Sequence, residues 1–268
     1  MERGLAAGLA LILGLLFGSF ANVPIHRWPR GTTVMTPRES RCGACDTPIA
    51  PYDNVPVVSW LVLRGRCRHC RANISVRYPA IEALTGVLFL AVALVHGATW
   101  LLPALLAFTW VLVVASAIDV EHRIIPNRLT YPAPAVLLVL LAGATALGGG
   151  EWTDLRRAGI AAVAVPGSML LVSELYRLVR GRIGIGMGDV KLAVSIGLVV
   201  GYLGGWELVI FAYGSVIGAV VVAGVLLVAG RAGLASRIPF GPYLTIGALL
   251  AVLAGERLTP VLERLLGL

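Results

Sequence analysis

Uncharged apolar runs recur along this chain at lengths close to the roughly 20 residues a helix needs to cross a bilayer core. The first covers about Leu5–Val23. Seven more fall near Ile81–His96, Leu101–Ile118, Tyr131–Leu147, Gly159–Leu178, Val190–Leu203, Trp206–Ala229 and Gly241–Ala254. The one long polar segment, His26 to about Pro79, lies between the first run and the second. The pattern predicts an all-α polytopic membrane protein with about eight transmembrane helices and a small polar loop domain. Its divisions are a first helix over 1–25, the loop domain over 26–80 and a seven-helix membrane domain over 81–268. A cleaved signal peptide competes for the first run, because Arg3 precedes it and Gly18, Ser19 and Ala21 follow. The run stays apolar to Ile25 and further spans follow, which favours a retained helix.

Composition agrees. Of 268 residues 58% are hydrophobic and 13% charged, far from the balance of a soluble domain. The net charge of +8 therefore reports loop orientation rather than nucleic-acid binding. The loops after spans one, three, five and seven carry 17 of the 22 Lys and Arg. By the positive-inside rule those loops face the cytoplasm and both termini face out.

All four cysteines lie in the polar segment, as Cys42-Gly43-Ala44-Cys45 and Cys67-Arg68-His69-Cys70. Two C-x-x-C turns at such a separation present four thiolates, which suits a structural zinc ion. The segment is thus expected to be a small cytoplasmic zinc-ribbon-like loop domain, and with little apolar material for a core, metal would supply its folding energy. Two disulfides or a redox-active pair are the alternatives. A cytoplasmic loop disfavours the first, and the second needs only one copy. With four thiolates, His69 is a spectator.

Chemistry concentrates at two aspartates. Asp189 follows Gly184, Gly186 and Gly188 at the mouth of span six, where the glycines strip the backbone and let a neighbour approach. A carboxylate at membrane depth is costly and marks a functional site, although an aspartate here could also simply cap the next helix. Asp119 closes span three, and the topology puts it on the same face as Asp189. Two carboxylates that meet cannot both ionise cheaply and share a proton, which suits them to activate water. Glu121 and His122 read as solvated loop residues. Span six, counted from Val190, is short, so its helix should begin nearer Ile183, sinking Asp189 and letting Lys191 snorkel outward.

Several ordered motifs together resemble the type IV prepilin peptidase family. They are Gly18-Ser19-Phe20-Ala21-Asn22 with His26-Arg27, both C-x-x-C pairs, Asn54-Val55-Pro56, and Ile74-Ser75-Val76-Arg77-Tyr78-Pro79 with Glu82. Asp119 with Ile125-Pro126-Asn127, Gly186-Met187-Gly188-Asp189 with Lys191, and Pro239-Phe240-Gly241-Pro242 complete the series. The resemblance implies a membrane aspartic endopeptidase of the Gly-x-Gly-Asp type, with Asp119 and Asp189 as its catalytic pair. It further implies cleavage after the glycine that ends a short basic leader of prepilins or pseudopilins, at the cytoplasmic face of the bacterial inner membrane. The new N-terminal residue would then be methylated from S-adenosylmethionine, and pilus or type II secretion proteins would be partners. One departure is that no proline follows Cys42, which affects turn rigidity and not the ligands. Archaeal-type relatives lack the cysteine loop, so its presence favours the bifunctional type.

No Rossmann fingerprint is present to hold S-adenosylmethionine, its binding residues stay unassigned, and Glu82, Lys191 and the Arg-rich loop are candidates by position only. Glu82 reads as a partner of Arg77 at a helix start, and Glu174 as a partner of Arg177 one turn on. Pro239-Phe240-Gly241-Pro242 could line a peptide path or only break the chain. The rival reading is a proton- or cation-coupled secondary transporter with paired membrane aspartates. Against it, the two halves show no inverted repeat. A zinc-ribbon scaffold without chemistry would leave both aspartates unexplained.

Overall fold

The computed structural model describes residues 2–35, 40–182, 184–228 and 240–266. Among them no strand forms beyond two isolated bridges, and helices account for the architecture. Seven helical segments are long and apolar enough to cross a membrane. The chain divides into two compact units, Met1–Ala98 and Thr99–Leu268.

The first unit holds α1 (Glu2–Arg27), the short α2 (Val58–Val62) and α3 (Arg77–His96). Helices α1 and α3 pack along each other because Gly14 and Gly18 present bare backbone. A Cβ at Gly18 would sit 2.7 Å from Cα of Glu82, and one at Gly14 2.7 Å from Cα of Gly86. This is small-residue packing, by which membrane helices gain contact without a hydrophobic drive.

The second unit holds α4 (Leu102–His122), α5 (Asn127–Thr130), α6 (Pro132–Ala146), α7 (Trp152–Arg180), α8 (Met187–Leu203), α9 (Gly205–Val228) and α10 (Gly241–Leu266). Helix α7 starts at a reciprocal capping box between Glu151 and Asp154. Helix α8 has 17 residues, about 25 Å, and is the most buried of the set. Its Gly197 and Gly201 lie against Ala161 and Ala158 of α7. The same device joins α9 to α10, where Gly214 meets Gly247.

Three expectations change. Helix α8 begins at Met187 with Gly186 as its N-cap, while Ile183 lies outside the described residues. Helix α4 continues through Glu121 and His122, which are exposed but helical; the chain turns at Arg123, whose left-handed conformation closes the helix by donating to the Asp119 carbonyl. Lys191 is held rather than free, since its Nζ donates to Oδ1 of Asn127 at 2.8 Å and lies 4.9 Å from the centre of the Tyr131 ring.

Candidate active site and metal centre

Three helix ends meet around Asp119 and Asp189. Asp119 sits in the last turn of α4, 5% exposed, and Asp189 in the first turn of α8, 9% exposed. Ile125, in the turn after α4, is buried against Gly188, where a Cβ would come within 3.1 Å of its own Cβ. A side chain at that position would press on Ile125, which would have to give by a few tenths of an ångström.

The third end is α10. The backbone N–H of Gly241 donates to Oδ2 of Asp119 at 3.0 Å. One turn away, Ser116 donates to Thr245 at 2.7 Å and fastens the same two helices. The Asp189 carboxylate lies over the Gly186 N-cap, where an added Cβ would sit 2.9 Å from its Oδ2. Among the described residues, its Oδ1 is nevertheless buried without a partner. Buried polar atoms are ordinarily hydrogen-bonded, so this oxygen is open to a water or a substrate group. Ahead of α8, the Ile185 N–H donates to the Ser173 hydroxyl of α7. Glu174 pairs with Arg177 at 2.7 Å, as the one-turn spacing implies.

The Pro239-Phe240-Gly241-Pro242 segment thus contributes a backbone donor to Asp119. The signal available was the glycine itself, since a Cβ there would lie 2.8 Å from the carboxylate oxygen. Pro239 lies outside the described residues.

In the first unit, both cysteine pairs form the same knuckle. Bridges Arg41–Pro48 and Arg66–Asn73 close the base of each turn. Cys42 N–H donates to Thr47 and Cys67 N–H to the equivalent Ala72. Asp46 and Arg71 take the same left-handed conformation just after each second cysteine. The four Sγ atoms lie within 4.8 Å of one another, and those of Cys42 and Cys70 are 3.8 Å apart. A tetrahedron with zinc–sulfur bonds of about 2.3 Å has edges of about 3.8 Å, so the cluster fits the ion.

The thiols also show what a cation would resolve. The Thr47 hydroxyl and amide draw Cys45 down to about 6. The amides of Cys70 and His69 lower Cys67. Although the Ala72 amide favours its thiolate, Cys70 is pushed up to about 11, chiefly by the neighbouring thiols, Cys45 first. Crowded thiolates repel, and a divalent ion removes the conflict. Below the knuckles, Arg68 grips Asp53 with two bonds of 2.6 and 2.8 Å, which holds the Asp53 carboxyl below the usual range.

Glu82 corrects an expectation. It is 9% exposed and does not pair with Arg77. Its carboxylate accepts from the backbone N–H of Val57 at 2.6 Å and from the Ser19 hydroxyl. Nearness in sequence favoured Arg77, but a loop contact from 25 positions away takes the carboxylate.

Residues 106–223 match the type IV leader peptidase family, and residues 12–96 match the bacterial peptidase A24 N-terminal domain. The chain is 36% identical to a prepilin leader peptidase/N-methyltransferase of Stutzerimonas stutzeri, over 93% of this chain and 91% of that protein. The chain belongs to the type IV leader peptidase family. Proteins of the same name from Pseudomonas aeruginosa (35% identical, 93% of this chain and 90% of that one) and Neisseria gonorrhoeae (36%, 94% and 91%) are similarly close. No solved structure matches. As a family member the chain is a multi-pass membrane enzyme with peptidase and methyltransferase activity. Both aspartates fall inside the leader-peptidase match, and all four cysteines inside the N-terminal-domain match.

Proposed function

We propose that this enzyme removes the short basic leader of prepilins or pseudopilins after its terminal glycine, on the cytoplasmic side of the bacterial inner membrane, and then N-methylates the new N-terminal residue. Asp119 and Asp189 are the catalytic pair. One observation supports this above the others: two carboxylates, each more than nine-tenths buried, sit at neighbouring helix ends, and one has an unpartnered oxygen. Burial of two acids without a cation between them is expensive unless they share a proton.

In this reading the ionised member takes a proton from water as it adds to the scissile carbonyl. The protonated member gives its proton to the carbonyl oxygen. The resulting gem-diol collapses with a proton delivered to the leaving amine. The Gly241 N–H keeps Oδ2 of Asp119 in place throughout. S-adenosylmethionine supplies the methyl group in the second reaction. Cys42, Cys45, Cys67 and Cys70 hold a structural zinc that keeps the loop folded.

The test is direct. Purified protein is incubated with a prepilin-like peptide and S-adenosylmethionine, and products are read by mass. A shortened peptide, heavier by one methyl group when the donor is present, is expected. An uncut peptide under all conditions would refute cleavage of such leaders.

A further inference from the structure

The first unit contains a cavity of about 640 Å³ that the peptidase chemistry does not use. Its wall includes Asn22, Val57, Trp60, Tyr78 and Glu82, and the knuckle cysteines Cys42 and Cys67 border it. We propose that this cavity binds the methyl donor, an adenosyl sulfonium with an amino-acid tail, and that Glu82 and Asn22 are its polar anchors. The inference rests on the N-methyltransferase reading above.

Glu82 is a buried carboxylate with hydrogen bonds but, among the described residues, no cationic partner. A desolvated charge left without a counter-ion is costly, so a cationic ligand here is favoured. Asn22 is 5% exposed. Its Nδ2 reaches the carbonyls of Gly18 and Tyr78 at 3.3 Å each, while Oδ1 is buried without a partner among the described residues. That oxygen is a ready acceptor for an amino group of the ligand.

The other acids on the wall are already engaged, Asp53 by Arg68 and Asp46 by Arg41. One free carboxylate suits one positive centre, and suits a polybasic leader poorly. Trp60 supplies an aromatic face for a purine or a sulfonium and is fixed because its Nε1 donates to the Ile74 carbonyl at 3.0 Å, whereas the Tyr78 ring already carries the Arg77 guanidinium 5.2 Å from its centre. Val57 adopts φ 61°, ψ −49°, a conformation that a β-branched residue rarely takes, and the Glu82 carboxylate holds it there. Backbone strain of this kind clusters at ligand sites.

The transfer needs no further reagent. The methyl carbon leaves sulfur, whose electron pair stays behind as a neutral thioether, and bonds to the lone pair of the substrate amine, which then sheds a proton to water. Glu82 loses its cationic partner in that step, which favours release of the thioether product.

Binding of S-adenosylmethionine and of S-adenosylhomocysteine, its neutral thioether product, would be measured on the detergent-solubilised full chain. Glu82→Gln keeps the shape and the bond to Val57 but removes the charge. It should weaken S-adenosylmethionine by about tenfold or more and the thioether by far less. Asn22→Leu should weaken both alike. Zinc content reports the fold of each variant. Wild-type affinity in both variants, or equal loss of both ligands in zinc-replete Glu82→Gln, overturns the assignment. If the variants lose zinc, photo-crosslinking of an azido-adenosyl donor to the wild type decides. Label within residues 1–98 supports the cavity, and label confined to residues 99–268 refutes it while leaving the methyltransferase reading intact. No binding and no methylated product would sink both.

Discussion

The backbone N–H of Gly241 donates to Oδ2 of Asp119 over 3.0 Å, although the two lie 122 positions apart. A backbone donor cannot swing away as a side chain can, so it fixes the carboxylate plane. A methyl at position 241 would sit 2.8 Å from that oxygen, closer than real contacts allow. Either the start of α10 or the carboxylate must move. Gly241→Ala is predicted to lower kcat for leader cleavage by about tenfold to a hundredfold, with melting temperature little changed. A variant with wild-type kcat would show that Gly241 does not orient Asp119.

The metal prediction follows from the two equivalent knuckles. The purified protein should carry about one zinc per chain. Cys67→Ser should lose it, and residues 41–73 should become sensitive to protease, because the loop has few apolar contacts of its own. Chelation of the wild type should reproduce that sensitivity. A metal-free protein with a protease-resistant loop would contradict the assignment.

Much of this was legible in the sequence, for reasons that differ by feature. The spans could be read because a bilayer demands long apolar runs, and the knuckles because two C-x-x-C turns admit few uses. Asp119 and Asp189 stood out because charge in an apolar run is costly. Less legible were contacts between distant segments. Glu82 was assigned to its near neighbour Arg77, whereas Val57 takes it. The role of Gly241 was hidden because a backbone donor leaves no side chain to notice. Helix ends at Met187 and His122 are set by the Gly186 cap and the Arg123 turn, which outweigh the boundary of the apolar run.

Asp53 gives a pH dependence whose sign is fixed. Its folded-state pKa is depressed by Arg68. The pair therefore stabilises the loop above the unfolded value of about 3.9 and ceases to do so as pH falls through the lower, folded value. The stability difference between wild type and Asp53→Asn should be steady near neutrality and shrink below about pH 4. Melting curves in saturating zinc, taken as differences at each pH, cancel thiol protonation common to both. A difference that grew on acidification would have the wrong sign.

Sidedness follows from the uneven Arg and Lys distribution. A single cysteine introduced at Gly184 should react with an impermeant reagent from the cytoplasmic side, and one at Gly149 from the outside, in a background where the native cysteines hold zinc. Reversed labelling would move cleavage to the opposite face of the membrane.

The strongest demand is on the aspartates as a unit. Asn is nearly isosteric with Asp, so each single substitution removes acid–base exchange at almost constant shape. Each should reduce leader cleavage by several orders of magnitude while zinc content and helix content persist. If Asp119 and Asp189 acted separately, their losses would multiply in the double variant. If they share one proton and activate one water, the first substitution already abolishes the pathway and the second adds little. The partnerless Oδ1 of Asp189 and the Gly241-held Oδ2 of Asp119 favour the second outcome, because they differ in what each can accept. Residual activity in Asp119→Asn near the wild-type rate would instead transfer the role to another acid. Glu121 is the first to test, being exposed two residues along the same helix.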